Sequence, residues 1–250
     1  MADEIRHSPA PATSKPELKP VAPELKPAAE HKPAVPELKP APAEKALELP
    51  SRKLFGRYPY EGVVVSDPGL DMYISLKPLS IPHTFARHAN KPFGKAKVNV
   101  VERLANKLMR GGTGEKLGGK VIRTHGKLQG KKSKVLKVIR AAFTIIEEKT
   151  KKNPLQLLVQ ALENSAPREE TTRVRFGGTS YQVAVDVSAQ RRLDLALKNI
   201  ALASIMQSFN KKSTLAQSLA DEIMLGAAND QNSYSVKRKN ETERVARSAR

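Results

Sequence analysis

Hydrophobic and polar positions alternate with period two on both sides of one short break in the chain. Thr172, Val174 and Phe176 alternate with Arg173 and Arg175, and beyond Gly177 and Gly178 the residues Tyr181, Val183, Val185 and Val187 alternate with polar or small ones. This pattern predicts a two-stranded β-hairpin arm over 171–187. Two glycines suit the positive backbone angles of a primed hairpin turn, which would set Phe176 opposite Thr179, Val174 opposite Tyr181 and Thr172 opposite Val183. One face of the arm then carries Phe176, Val174 and Tyr181. The other carries Arg173 and Arg175 against Ser180 and Gln182, a basic surface with little reason to be buried.

Elsewhere the apolar spacing is helical. Val101, Leu104, Ala105 and Leu108 mark a first helix over roughly 97–110, stopped by Gly111 and Gly112. Val135, Val138, Ala142, Ile145 and Ile146 mark a second, with a basic start at 131–134. The third begins at Asn153 as cap with Pro154 in its first turn and Gln156 three residues beyond the cap; its apolar face is Leu155, Leu158, Val159 and Leu162. The fourth, capped by Ser188 and running from about 189 to 206, has the widest apolar stripe and is expected to be central. Ser213 is the expected cap of the fifth, through Leu215, Leu219, Ile223 and Ala227, and a sixth helix starts after Ser233. The fold class expected is mainly α: a bundle of five to six helices with the hairpin inserted between the third and fourth.

The first 50 residues are different. They hold 11 of the 18 prolines and repeat PELKP at Pro16, Pro23 and Pro36. Proline at this density removes backbone donors and favours extended conformations, so residues 1–50 read as a disordered Pro/Ala/Lys-rich tail, a spacer or weak contact arm. Residues 51–92 read as an irregular extension packing on the body or on RNA, with one short strand at 63–65, and 93–250 as the helical domain bearing the arm.

Charge sharpens this division. The tail has seven basic and eight acidic side chains, whereas the other 200 residues carry 37 basic and 17 acidic ones, a net of +20. A field of that sign attracts polyanions. No apolar run is long enough to span a membrane and the N-terminus lacks a signal core, so no membrane partner is expected and the chain is read as soluble and intracellular. There is no cysteine, hence no disulfide, thiol nucleophile or thiolate metal site.

Enzymatic motifs fail on inspection. Gly114–Lys120 reads GEKLGGK but Val121 follows where a phosphate-binding loop needs Ser or Thr, and a helix precedes it where a strand is required. The stretch is better read as a flexible basic linker, since 110–140 holds ten lysines and arginines with Glu115 as the one acid. His83 and His88 lack a nearby carboxylate or thiolate and make a poor metal site, so exposed or RNA-facing imidazoles are expected instead. Glu147 with Glu148 and Glu169 with Glu170 are sequence neighbours pointing apart, and the glycosylation match at Asn240 is chance without a secretion signal. No catalytic residues, cofactor or small-molecule substrate are expected.

Nucleic acid is the partner that the remaining features favour. Arg173 and Arg175 would bind phosphates while Phe176 and Tyr181 stack on bases. Arg191 and Arg192 add charge near the start of the fourth helix, where free backbone donors already attract an anion. Lys131, Lys132, Lys134, Lys237, Arg238 and Lys239 would extend the surface.

Several segments, in order along 52–250, resemble the small-subunit ribosomal protein S seven family, called S five in eukaryotic nomenclature. They are KLFG from Lys53, VERLANKLM from Val101, NPLQLLVQALENSAPRE from Asn153, RVRFGGTSYQV from Arg173, VDVSAQRR from Val185, LADEI from Leu219 and NSYSVKRKNETERVA from Asn232. KLFG and the C-terminal run look like the eukaryotic cytosolic branch. The resemblance implies a helical bundle with a β-arm bound to the 3′ major domain of small-subunit rRNA in the head. It implies support of head assembly, exit-site tRNA and mRNA nearby, neighbouring head and platform proteins as partners, and a cytosolic ribosome with nucleolar assembly. It assigns RNA contact to Arg168, Arg173, Arg175, Arg191, Arg192, Lys131, Lys132, Lys134, Lys237, Arg238 and Lys239. The PELKP repeats and the length of 111–130 depart from the family's pattern. The competing reading is an architectural DNA-binding protein using the arm in a minor groove, although such arms usually carry an apolar wedge where this tip has Phe176, Gly177, Gly178 and Thr179.

Overall fold

In the computed structural model, backbone is described for residues 52–110, 113–117, 120–123 and 126–250, and side chains for 52–110 and 126–250. The tail expected over 1–50 lies outside these residues. The described chain runs α1 (Pro68–Asp71), α2 (Val100–Met109), β1 (Thr113–Leu117), β2 (Lys120–Arg123), α3 (Lys132–Thr150) and α4 (Pro154–Ser165). It continues through β3 (Glu169–Phe176), β4 (Thr179–Asp186), α5 (Ala189–Ser208), α6 (Leu215–Ala227) and α7 (Tyr234–Ser248), with 3-10 turns at Arg87–Asn90 and Gly94–Lys97. The fold is mainly helical, with β3 and β4 forming the antiparallel arm between α4 and α5.

Caps place the helices. The Asn153 side chain accepts the Leu155 N–H at 3.0 Å with Pro154 in the first turn of α4, and Ser233 caps α7. The start of α6 is one residue later than expected. Thr214, not Ser213, is the cap, because Gln217 lies three residues beyond it and the pair exchange bonds of 3.0 and 3.3 Å in a capping box. Ser213 instead donates to the Gln207 carbonyl at 3.2 Å.

The core gathers around α5, which packs on α1, α2, α4, α6 and α7. The inward face of α3 keeps the expected Val135, Ala142 and Ile146 and adds Leu136, Ile139 and Phe143, whereas the expected Val138 and Ile145 are half-covered. The cause lies far away in sequence, where Phe55 and Tyr58 present their rings edge-on to Phe143 at 6.4 and 5.8 Å between centroids. Leu54, Tyr58, Leu70 and Ile74 join the core from the segment that precedes α2.

Residues 63–65 form no strand. The Gln156 side-chain amide receives the Val64 N–H at 2.8 Å and donates to the Val64 carbonyl at 3.0 Å, satisfying that peptide as a neighbouring strand would. The linker also differs from expectation. β1 and β2 pair antiparallel, with Thr113 opposite Arg123 and Leu117 opposite Lys120, so backbone ladder bonds order part of a stretch that has few apolar side chains.

α7 is fastened by one carboxylate. Glu222, fully buried, accepts at Oε1 from Ser233 Oγ (2.7 Å), the Ser235 N–H (3.0 Å) and Ser235 Oγ (2.8 Å), and at Oε2 from Gln207 (3.3 Å). A carboxylate at a helix start is also stabilised by the positive end of the helix dipole. Glu222→Ala orphans these donors and is expected to cost about 2–4 kcal/mol in denaturant unfolding, with amide exchange rising first at the start of α7. A loss below about 1 kcal/mol contradicts this role.

Candidate nucleic-acid interface

The arm has the register that its alternation implies: Phe176 faces Thr179, Val174 faces Tyr181, Thr172 faces Val183, and Arg173 and Arg175 face Gln182 and Ser180. Gly177 and Gly178 have φ of 58° and 84°, the two positive angles of a type I′ turn. Solvent reaches both faces, with Phe176 81% and Tyr181 57% exposed. Arg173 donates to Ser180 Oγ at 2.8 Å, and Tyr181 OH meets Thr179 Oγ1 at 3.0 Å. Arg175 has no carboxylate partner among the described residues.

A lone two-stranded ribbon is marginal in water, and the body holds this one at its base. The Arg168 N–H donates to Glu243 of α7 at 3.1 Å, Arg250 pairs with Glu169, and Arg191 forks onto Glu170 at 2.8 and 2.9 Å. The Arg168 side chain is exposed there. Beside the base, Glu170, Thr171, Leu195, Arg238 and Arg244 line an open groove of about 570 Å³ between the arm, α5 and α7. Arg238 pairs with Glu241 at 3.2 Å, Lys237 is exposed and Lys239 half-covered.

Two of the residues expected to face RNA turn inward instead. Arg192 bonds Asp67 at 2.7 Å with a side chain only 12% exposed, fastening α1 to α5, and Lys132 reaches buried Glu102. Neither pairing is visible in a one-dimensional pattern, since Asp67 lies 125 residues from Arg192. Lys131 and Lys134 remain exposed. They lie away from the arm: Lys134 shares a hollow with Ile205 and Ser208 near the end of α5, about 20 Å along that helix from Arg191 at 1.5 Å per residue. The two basic regions are therefore not contiguous by themselves.

Residues 83–97 lie between them, and sequence reasoning missed their place. Glu102 accepts the Thr84 N–H and hydroxyl, both at 2.9 Å, together with Lys132. Asp194 of α5 receives Lys95, Arg103 at 3.1 Å and Lys107 at 3.6 Å. Burial alone would raise the Asp194 carboxyl, but the Lys95 hydrogen bond, the Lys107 charge and Arg103 outweigh it and hold it below the usual carboxylate range. The same contest, won by Lys132 and Thr84, lowers Glu102. The detectable signal was an acid on the apolar stripe of a helix, since Glu102 sits between Val101 and Leu104.

These cations and rings suit phosphates and bases. Among the described residues no group of His, Asp and Glu could hold a metal ion. A family model described as ribosomal protein S7p/S5e matches residues 71–250. The chain belongs to the ribosomal protein S7p/S5e family. It is 48% identical over 199 residues to the small ribosomal subunit protein uS7 of Methanococcus maripaludis strain C7, covering 79% of this chain and 98% of the relative. The uS7 protein of Methanosphaera stadtmanae is 45% identical over 199 residues, covering 80% and 99%. The family match contains the arm, the loop at 83–97 and α7, whereas the proline-rich repeats precede it. These relatives are archaeal, unlike the eukaryotic branch suggested by KLFG and the C-terminal run.

Because the folded pKa of Asp194 lies below its ordinary value of 3.8, its contribution is complete above that value and fades as pH falls through the folded one. Asp194→Asn is expected to lower stability by about 2 kcal/mol at pH 7. The gap from the unsubstituted chain should narrow below pH 3.8, as read from denaturant unfolding across that range. A gap that widens toward acid contradicts the assignment.

Proposed function

We propose that this chain is a structural constituent of the small ribosomal subunit, bound to the 3′ major domain of the small-subunit rRNA in the head. There it supports head assembly and directs its arm toward the tRNA exit site and the mRNA exit path, beside other head and platform proteins. Family membership supports a structural role and not an enzymatic one. The observation that carries the RNA reading is the arm itself, an exposed ribbon with Arg173 and Arg175 on one face and Phe176 and Tyr181 on the other.

Within this reading RNA is contacted by Lys131, Lys134, Arg168, Arg173, Arg175, Phe176, Tyr181, Lys237, Arg238 and Lys239. Arg191 sits at the margin through its pair with Glu170, while Arg192 and Lys132 act by holding the frame. The division into a tail (1–50), an extension (51–92) and a helical rRNA-binding domain (93–250) belongs to the same proposal. The location is the cytosolic ribosome. Archaeal relatives lend no support to a nucleolar assembly step, which rests on the eukaryotic resemblance alone.

Arg173→Glu with Arg175→Glu is expected to weaken binding to a transcript of the 3′ major domain at least tenfold. Loss of two phosphate contacts should flatten the salt dependence by about 1.4 to 1.8 logarithmic units per log unit of salt. Thermal unfolding should move by less than about 2 °C, since both side chains are exposed. Preference for a DNA duplex over the transcript would instead favour the architectural DNA-binding reading.

A further inference from the structure

The loop at 83–97 joins the two basic regions and presents features that the arm does not explain. Phe85 and Phe93 are 73% and 80% exposed, and both have positive φ, at 50° and 54°. Bulky side chains rarely adopt that conformation, and where it occurs the surroundings must enforce it. The enforcement is visible on every side. Thr84 is bonded to buried Glu102, Lys95 is tied to Asp194, and the His83 ring accepts the Phe85 N–H at 2.9 Å. A Cβ at Gly94 would fall 2.5 Å from the His88 carbonyl, so the two 3-10 turns are packed backbone to backbone. His83 lies against Phe85 with ring centroids 4.2 Å apart. The rings are thus held outward on a rigid mount.

Charge states what kind of partner fits. From Met72 to Val101 there is no acidic residue, while Lys77, Arg87, Lys91 and Lys97 are exposed. None of these four pairs with a carboxylate among the described residues. Planar rings among uncompensated cations match unpaired nucleotides, whose bases stack on aromatic faces while their phosphates meet the charges.

We infer that His83, Phe85 and Phe93 form a second RNA-binding site, a stacking platform for unpaired bases of the small-subunit rRNA, distinct from the arm and continuous with Lys131 at the start of α3. The inference rests on the proposed rRNA binding and adds the nucleotide class that this surface takes: loop or bulge residues with accessible base faces.

The test compares full-length chains in binding to the 3′ major domain transcript over a range of salt. Phe85→Ala with Phe93→Ala should weaken binding about tenfold or more with an unchanged salt slope, because no cation is removed. Phe85→Trp with Phe93→Trp should keep the affinity, and the corresponding Leu pair should lose it. Binding by the Ala pair within about twofold of the unsubstituted chain overturns the platform. Full affinity in the Leu pair also overturns it and points to an apolar protein contact. Should the Ala pair fail to fold, the Trp and Leu pairs decide between the same outcomes. An unsubstituted chain that does not bind the transcript overturns the rRNA reading and the platform with it, a result distinct from loss of the platform alone.

Discussion

Asp194 receives Lys95, Arg103 and Lys107 at once, and the rest of the molecule depends on carboxylates used in this way. A folding region with a net charge of +20 repels itself on collapse. Its acids are concentrated where separate segments meet. Asp67 fastens α1 to α5 through Arg192, Glu102 fastens the 83–97 loop to α3, and Glu222 fastens α7 to α6. The Asp194, Asp67 and Glu102 joints draw positive charge inward, whereas Glu222 gathers only uncharged donors. Stability and the outward positive field therefore come from the same uneven distribution of acids.

The arm illustrates the division between frame and surface. Near the body its strands carry Glu169 and Glu170, both paired with arginines of the helical part. Toward the tip the acids stop, and arginine and aromatic side chains face solvent. Ion pairs at the base orient the ribbon, even though exposed pairs contribute little to overall stability. The 83–97 loop follows the same rule on a smaller scale, since its inward groups are anchored by buried Glu102 and half-covered Asp194 and its outward groups have no acid partner among the described residues.

Local rules read the local structure well. Period two and a Gly-Gly turn specified the register of the arm residue by residue, and Asn153 and Ser233 marked true helix starts. What escaped was set by partners distant in sequence. The inward face of α3 extends to Phe143, which meets Phe55 and Tyr58, and Gln156 looked like a capping residue but completes the Val64 peptide. The same reason divides the basic residues into exposed and inward-paired ones. Arg173 and Arg175 were legible because a strand of alternating character must expose one face. Lys132 and Arg192 were not, because basic side chains look alike in sequence whether or not a buried acid awaits them. Phe85 and Phe93 were missed because their segment has no period, and exposure there follows from anchoring by Glu102 and Asp194.

The most direct test is ultraviolet crosslinking of the chain bound to small-subunit rRNA, with crosslinked residues located by mass spectrometry. RNA adducts are expected at Phe176 and Tyr181 of the arm, at Phe85 and Phe93 of the loop and at Lys131, with none at Arg103 or Arg192. Adducts concentrated on the inward-paired cations, or an arm without any, would contradict this expectation.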